Sequence, residues 1–200
     1  MKTNKNHVQR LVATAILAAI VIVLQVFVSI PIGIFTITLT LVPIMIGAIM
    51  FGPSCGAFLG GVFGVTVSIQ VVTGAAGALS FAMFEQRPVI TIVICLLKGI
   101  LAGLCSGLVY KLFEKLKKGK LGVVLSAVAC PIVNTGIFVT ALFLFYYALM
   151  GEFAVANAFA NAVSFIFIGI VGLNFVVEFA INVLLIPVAI RVIRIVGSKF

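Results

Sequence analysis

The chain has 200 residues and a formal net charge of +9, yet only 8% of its residues are charged while 64% are hydrophobic, and its mean hydropathy is +1.42. A soluble domain of this size covers its surface with about a quarter charged residues, so this surface faces lipid, which sets no penalty on exposed Leu, Ile, Val and Phe. The positive charge does not make a nucleic-acid surface either: the 13 Lys and Arg gather between apolar runs, without the interleaved aromatics that a base-stacking groove needs.

Lys2, Lys5 and Arg10 open the chain and precede an apolar stretch over 11–30. The stretch is longer than a signal-peptide core and no clear small-x-small cleavage site closes it before Pro31, so it reads as a retained first membrane helix behind a cytoplasmic tail, 1–10. Pro31 and Gly33 break it, and 35–38 form a short connection. A short second helix over 39–51 ends at Gly52-Pro53, and a third covers 55–73. The mixed segment 74–88, with Gly74, Gly77, Ser80, Glu85, Gln86 and Arg87, reads as a loop along the membrane surface. A fourth helix over 89–113, a lysine-rich connector, a fifth over 121–149, a loop over 150–157 and a sixth over 160–193 complete the chain. The expectation is a single domain over 1–200, an all-α integral membrane protein with six transmembrane helices. Six crossings place the basic N-terminus, the 111–120 cluster and Arg191, Arg194 and Lys199 on one side, so both termini are expected to be cytoplasmic.

Cys55, Cys95, Cys105 and Cys130 form no CxxC pair and His7 stands alone in the tail, so no metal and no cofactor is expected. There is no Ser-His, Cys-His or paired-carboxylate arrangement for hydrolysis, which argues against an enzyme. There is no Gly-rich phosphate loop with a following Lys-Ser/Thr, so active transport would draw its energy from another subunit. Four Glu and no Asp are a thin basis for a proton relay.

Small residues recur at a spacing of four. Gly56, Gly60 and Gly64 share one face of the third helix, and Gly99, Gly103 and Gly107 one face of the fourth. Such faces admit a close backbone approach, either within the molecule or from a partner protein. Ala15 and Ala19 repeat the pattern on the first helix.

Polar groups at membrane depth are expensive and mark candidate sites. Lys98 lies roughly 15 Å along the fourth helix, and Glu178 is at comparable depth in the sixth. Either the two pair with each other, or one of them faces a cavity and meets a polar ligand. Asn174, Glu178 and Asn182 share a helix face, Asn157, Asn161 and Ser164 form a second row, and Asn134 and Thr135 stand at mid-depth on the fifth helix. Their convergence, with Arg87 above, points to a lined pocket. The candidate substrate-binding residues are Lys98, Asn134, Thr135, Asn161, Asn174, Glu178 and Arg87.

The segments 37–53, ending in Phe-Gly-Pro, and 56–60 resemble the helix 2–3 signature of the substrate-binding S components of energy-coupling factor (ECF) transporters. The segments 97–110 and 131–136, the latter containing Asn-Thr-Gly, resemble the following helices of that family, so that the similarity covers nearly the whole chain. The resemblance implies six helices in a prokaryotic cell membrane and high-affinity capture of a vitamin at the outer face. It implies delivery by tilting against a transmembrane coupling subunit driven by two ATPases, with the alanines of the first helix, here Ala15 and Ala19, as the docking face. Lys98 and Arg87 suit a carboxylate-bearing substrate such as pantothenate, folate, biotin, lipoate or niacin. With no Trp and three Tyr, a large flat ring would have to rest on Phe, which favours pantothenate, small and aliphatic. The competing readings are a stand-alone secondary transporter or small channel, oligomeric through its glycine faces, a membrane-embedded enzyme, and a structural scaffold.

Overall fold

A computed structural model describes residues 2–28, 30–32, 35–37 and 39–197, with side chains over 8–28, 39–172 and 175–191. The elements in chain order are α1 (Lys2–Phe27), β1 (Ile30–Ile32), β2 (Phe35–Ile37), α2 (Leu41–Phe51), α3 (Pro53–Val72), α4 (Ala78–Gln86) and α5 (Pro88–Lys115). They continue with α6 (Gly119–Phe145), α7 (Tyr147–Ala156), α8 (Ala162–Ser164), a π-helix (Phe165–Phe175), α9 (Val176–Leu184) and α10 (Ile186–Gly197).

Among the described residues five helical stretches are long and apolar enough to cross a membrane: Val8–Phe27, Pro53–Val72, Pro88–Lys115, Gly119–Phe145 and Ala162–Arg191. The protein is therefore a multi-pass membrane protein. With 11 residues, α2 extends only about 16 Å, short of a hydrocarbon core of about 30 Å. Every residue from Leu41 through Ile49 is buried, and the helix touches α1, α3, α5, α6 and α10. It is the central post of the bundle. Arg10 near one end of α1 donates to the Phe51 carbonyl at 3.0 Å, and Thr40 ahead of α2 donates to Gln25 near the other end at 2.9 Å. The two helices are thus antiparallel.

The closest packing is between α3 and α5. A Cβ added at Gly60 would run into the Gly99 carbonyl, and one at Gly56 into that of Gly103. One at Gly64 would lie 2.7 Å from the Cys95 carbonyl oxygen, and one at Gly107 would lie 2.6 Å from Pro53 Cα. The two glycine faces meet each other, and of the two uses open to them in the sequence the intramolecular one is observed. Ser106 and Ser126 seal α5 to α6 by donating to each other's carbonyls at 3.2 and 2.8 Å.

Four local features differ from the sequence expectation. The connection after α1 contains a short two-stranded antiparallel ladder, pairing Ile30 with Ile37 and Ile32 with Phe35, in a chain whose other elements are all helical. The expected loop over 74–88 is largely helix α4: Leu79 and Met83, one turn apart, are fully buried, and that anchored stripe outweighs the polar composition. The fifth helix stops at Tyr146 (φ −130°, ψ 19°) and resumes as α7, so the expected loop over 150–157 is helical as far as Ala156, held by buried Met150 and Ala154. The last span is a succession of α, π and α segments broken at Leu185, two residues before Pro187, whose ring and missing N–H disfavour a continuous ladder.

Candidate functional site

The register of the helices decides which polar residues share a layer. Thr91 meets Tyr146 at one end of α5 and α6, and Ser106 meets Ser126 towards the other, so Lys98 falls at the level of 134–138. Its ammonium indeed lies 4.9 Å from the Phe138 ring centre and 5.8 Å from that of Phe63 on α3. Both are cation–π distances. Among the described residues no carboxylate forms an ion pair with Lys98, so the Lys98–Glu178 pairing held open in the sequence is not what these contacts show. Lys98 is half-buried.

Asn134 stands one turn before Phe138 and is 8% exposed. Its side-chain oxygen accepts no hydrogen bond among the described residues. Phe167 meets Phe143 at 5.9 Å between ring centres, while Ile186 and Ala189 cluster with Val123 and Ala127, so the last span runs antiparallel to α6 and Glu178 lies near the level of Asn134. Glu178 and Asn182 are 4% and 1% exposed, and Asn182 donates to the Glu178 carbonyl at 2.8 Å. The Asn182 side-chain oxygen, like that of Asn134, is buried without a donor among the described residues. Lys98, Asn134 and Glu178 therefore occupy one mid-depth layer across α5, α6 and α9.

The other candidates lie elsewhere. Thr135, next to Asn134, turns into a groove of about 330 Å³ between α6 and the π-helix, shared with Val139, Phe167 and Phe175. Asn161 is the N-cap of α8: its Oδ1 accepts from the Ser164 N–H at 2.8 Å, and the Ser164 hydroxyl accepts from the Asn161 N–H at 3.1 Å. Arg87 is exposed at the α4–α5 junction. The backbone of Asn174 belongs to the π-helix, and its side chain lies outside the described residues.

Two buried polar networks were not singled out in the sequence, and both lie at the end of the bundle opposite Arg10. Gln25 donates to Gln70 at 2.7 Å, Gln70 returns a bond to the Gln25 carbonyl at 3.0 Å, and Thr40 completes the clamp on Gln25. The only signal for it was a single Gln near the end of each of two apolar runs. In the second network the Thr91 hydroxyl lies 2.8 Å from the Tyr146 oxygen and 2.9 Å from the carbonyls of Met83 and Arg87, either of which it can donate to. Burial pushes the Tyr146 phenol above its ordinary range, against the opposing effects of the Thr91 bond and the Arg87 charge, so it remains an O–H at neutral pH. The bonds tie the α4–α5 turn to the break between α6 and α7.

Ala15 and Ala19 are exposed and line a groove of about 700 Å³ with Arg10, Thr14, Phe51 and Phe58. Of the five membrane-length helices, α1 is the least buried.

The family model for the ECF transporter substrate-specific component matches residues 9–190. The pantothenic acid transporter PanT of Lactococcus lactis is 31% identical over 155 residues, covering 72% of this chain and 76% of PanT. The solved structure of ThiT from Listeria monocytogenes superposes with a TM-score of 0.62 at 23% identity, covering 93% of this chain and 97% of ThiT, a likeness in fold.

Proposed function

Because the chain belongs to the family of ECF transporter substrate-specific components, and is a transporter component and not an enzyme, we propose that it captures a vitamin, pantothenate first among the candidates, for an ATP-driven importer in a prokaryotic plasma membrane. The observation that carries this reading is the family match across nearly all the membrane-embedded chain. The half-buried Lys98, without a carboxylate partner among the described residues, favours a carboxylate-bearing vitamin, and the similarity to a pantothenic acid transporter favours pantothenate among these.

The reading includes six crossings. Leading from the Arg10 end, α1, α3 and α6 run one way, while α2, α5 and the α8–α10 segment return, with the hairpin and short α2 together completing one passage. Both termini then lie at the lysine-rich end, which the positive-inside rule makes cytoplasmic. Lys98, Asn134 and Glu178 form the capture site, approached from the opposite, outer end, with Arg87 at its rim, while Thr135, in its own groove, and Asn161, a helix cap, stand apart from it. The groove beside Ala15 and Ala19 receives the transmembrane coupling subunit, which two ATPases drive. Support for this docking face comes from its exposure and from the slight burial of α1. The glycine faces are used inside the molecule, which removes the main route to a self-assembled stand-alone transporter.

Thermal unfolding of the purified protein against a panel of vitamins tests the reading. A ligand at a hundred times its dissociation constant adds about 2.7 kcal/mol to the folded state. Stabilisation by pantothenate, with cellular uptake that requires a coexpressed ATPase module, is expected. Uptake that persists without that module would overturn the importer reading.

A further inference from the structure

We infer that Lys98 is the carboxylate anchor that sets the charge preference of the site, and that Asn134 accepts a hydrogen bond from a hydroxyl or amide N–H of the same ligand. This rests on the capture reading above and adds the substrate class and its orientation. The ligand is an organic acid whose carboxylate meets α5 and whose donor group meets α6.

An ammonium at mid-depth in a membrane needs a partner. The described contacts of Lys98 are the rings of Phe63 and Phe138. Ring faces attract the positive charge but leave its three N–H donors without strong acceptors. A carboxylate supplies those acceptors in charge-assisted bonds, about twice as strong as neutral ones. Arg87 is the other cation on this half of α5, but it is exposed and lies about 16 Å further along the helix, where water screens it. Asn134 presents the complementary need: its buried Oδ1 lacks a donor among the described residues, and such an atom marks a place where one is missing. Phe138, four residues on from Asn134, lies under the Lys98 ammonium, so the donors of Lys98 and the acceptor of Asn134 border the same part of the bundle. Pantothenate, with a carboxylate, an amide N–H and hydroxyls, carries both features.

The test uses the full-length purified protein, with calorimetric titration of pantothenate and of its neutral alcohol analogue, in which CH2OH replaces the carboxylate. The wild type is expected to prefer the acid by about tenfold to a hundredfold. Lys98→Met should remove that preference while holding the alcohol within a few-fold of its wild-type affinity, and Asn134→Leu should weaken both ligands alike. Equal wild-type affinity for acid and alcohol, or an acid preference that survives in Lys98→Met, overturns the anchor. A wild type that binds only a neutral or cationic vitamin overturns the anchor and leaves capture standing, whereas binding of no vitamin removes the capture reading and the anchor with it. If Lys98→Met does not fold, Lys98→Gln decides: loss of the acid preference supports the anchor, and a preserved preference overturns it.

Discussion

A hydroxyl buried between two helices matters more for the groups it keeps satisfied than for its own bond. Thr91 is 2% exposed and Tyr146 1%, and their oxygens and the carbonyls of Met83 and Arg87 form one network. Thr91→Val removes the shorter of the two hydrogen bonds of the Tyr146 hydroxyl, which keeps only the 3.3 Å bond to the Arg87 carbonyl, at a cost of about 1 kcal/mol. The melting temperature should fall, and Tyr146→Phe should lower it by less, because it removes the polar atom instead of leaving it with its weaker bond. Thr40→Val should behave like Thr91→Val, since Thr40 is completely buried and its hydroxyl is bound to the side-chain oxygen of Gln25. Unchanged melting in both variants would show that neither network carries stability.

Among the elements, α3 and α5 leave no room for side chains. Gly60 and Gly99 each abut the other's carbonyl, and a backbone yields less readily than a flexible side chain. Gly60→Val should therefore destabilise by at least the 1–3 kcal/mol typical of overpacking, lowering the yield of folded protein. Gly136→Ala and Gly151→Ala should be neutral or slightly stabilising, because nothing lies within 4 Å of a Cβ at either position and Ala is the better helix former by about 1 kcal/mol. The alanine face of α1 is a different case, open to lipid and not packed. Ala15→Leu with Ala19→Leu should leave melting and ligand binding unchanged and reduce uptake at least tenfold. Lost ligand binding in that double variant would place the groove in the capture site and not at a docking face.

For the molecule as a whole, the arrangement of basic residues can be tested against the direction of each helix. A cysteine introduced at exposed Lys118 should react with an impermeant maleimide only in inside-out vesicles, and one at exposed Glu152 only in right-side-out cells. Labelling of both from the same side would rule out an α6 that crosses once between them. The native background is low in principle, because Cys95 and Cys130 are buried and Cys55 and Cys105 are partly covered.

Membrane residence was legible in composition alone, because a chain with so few charges has no way to cover itself for water. Family membership was legible too, carried by motifs such as the Phe-Gly-Pro turn after α2. The pairing of Gly56, Gly60 and Gly64 with Gly99, Gly103 and Gly107 was readable as a close-approach surface, but not as one face meeting the other, since a repeat specifies how near a backbone can come and not whose. The helices α4 and α7 were hidden because Leu79–Met83 and Met150–Ala154 are short stripes among polar or small neighbours, stabilised by burial that only the tertiary contacts supply. The candidate site divided in the same way. Depth could be counted along a helix, which brought out Lys98, Asn134 and Glu178. Azimuth depends on how neighbouring helices are rotated, and it was the packing that set Lys98 over Phe138, turned Thr135 into a separate groove and made Asn161 a helix cap.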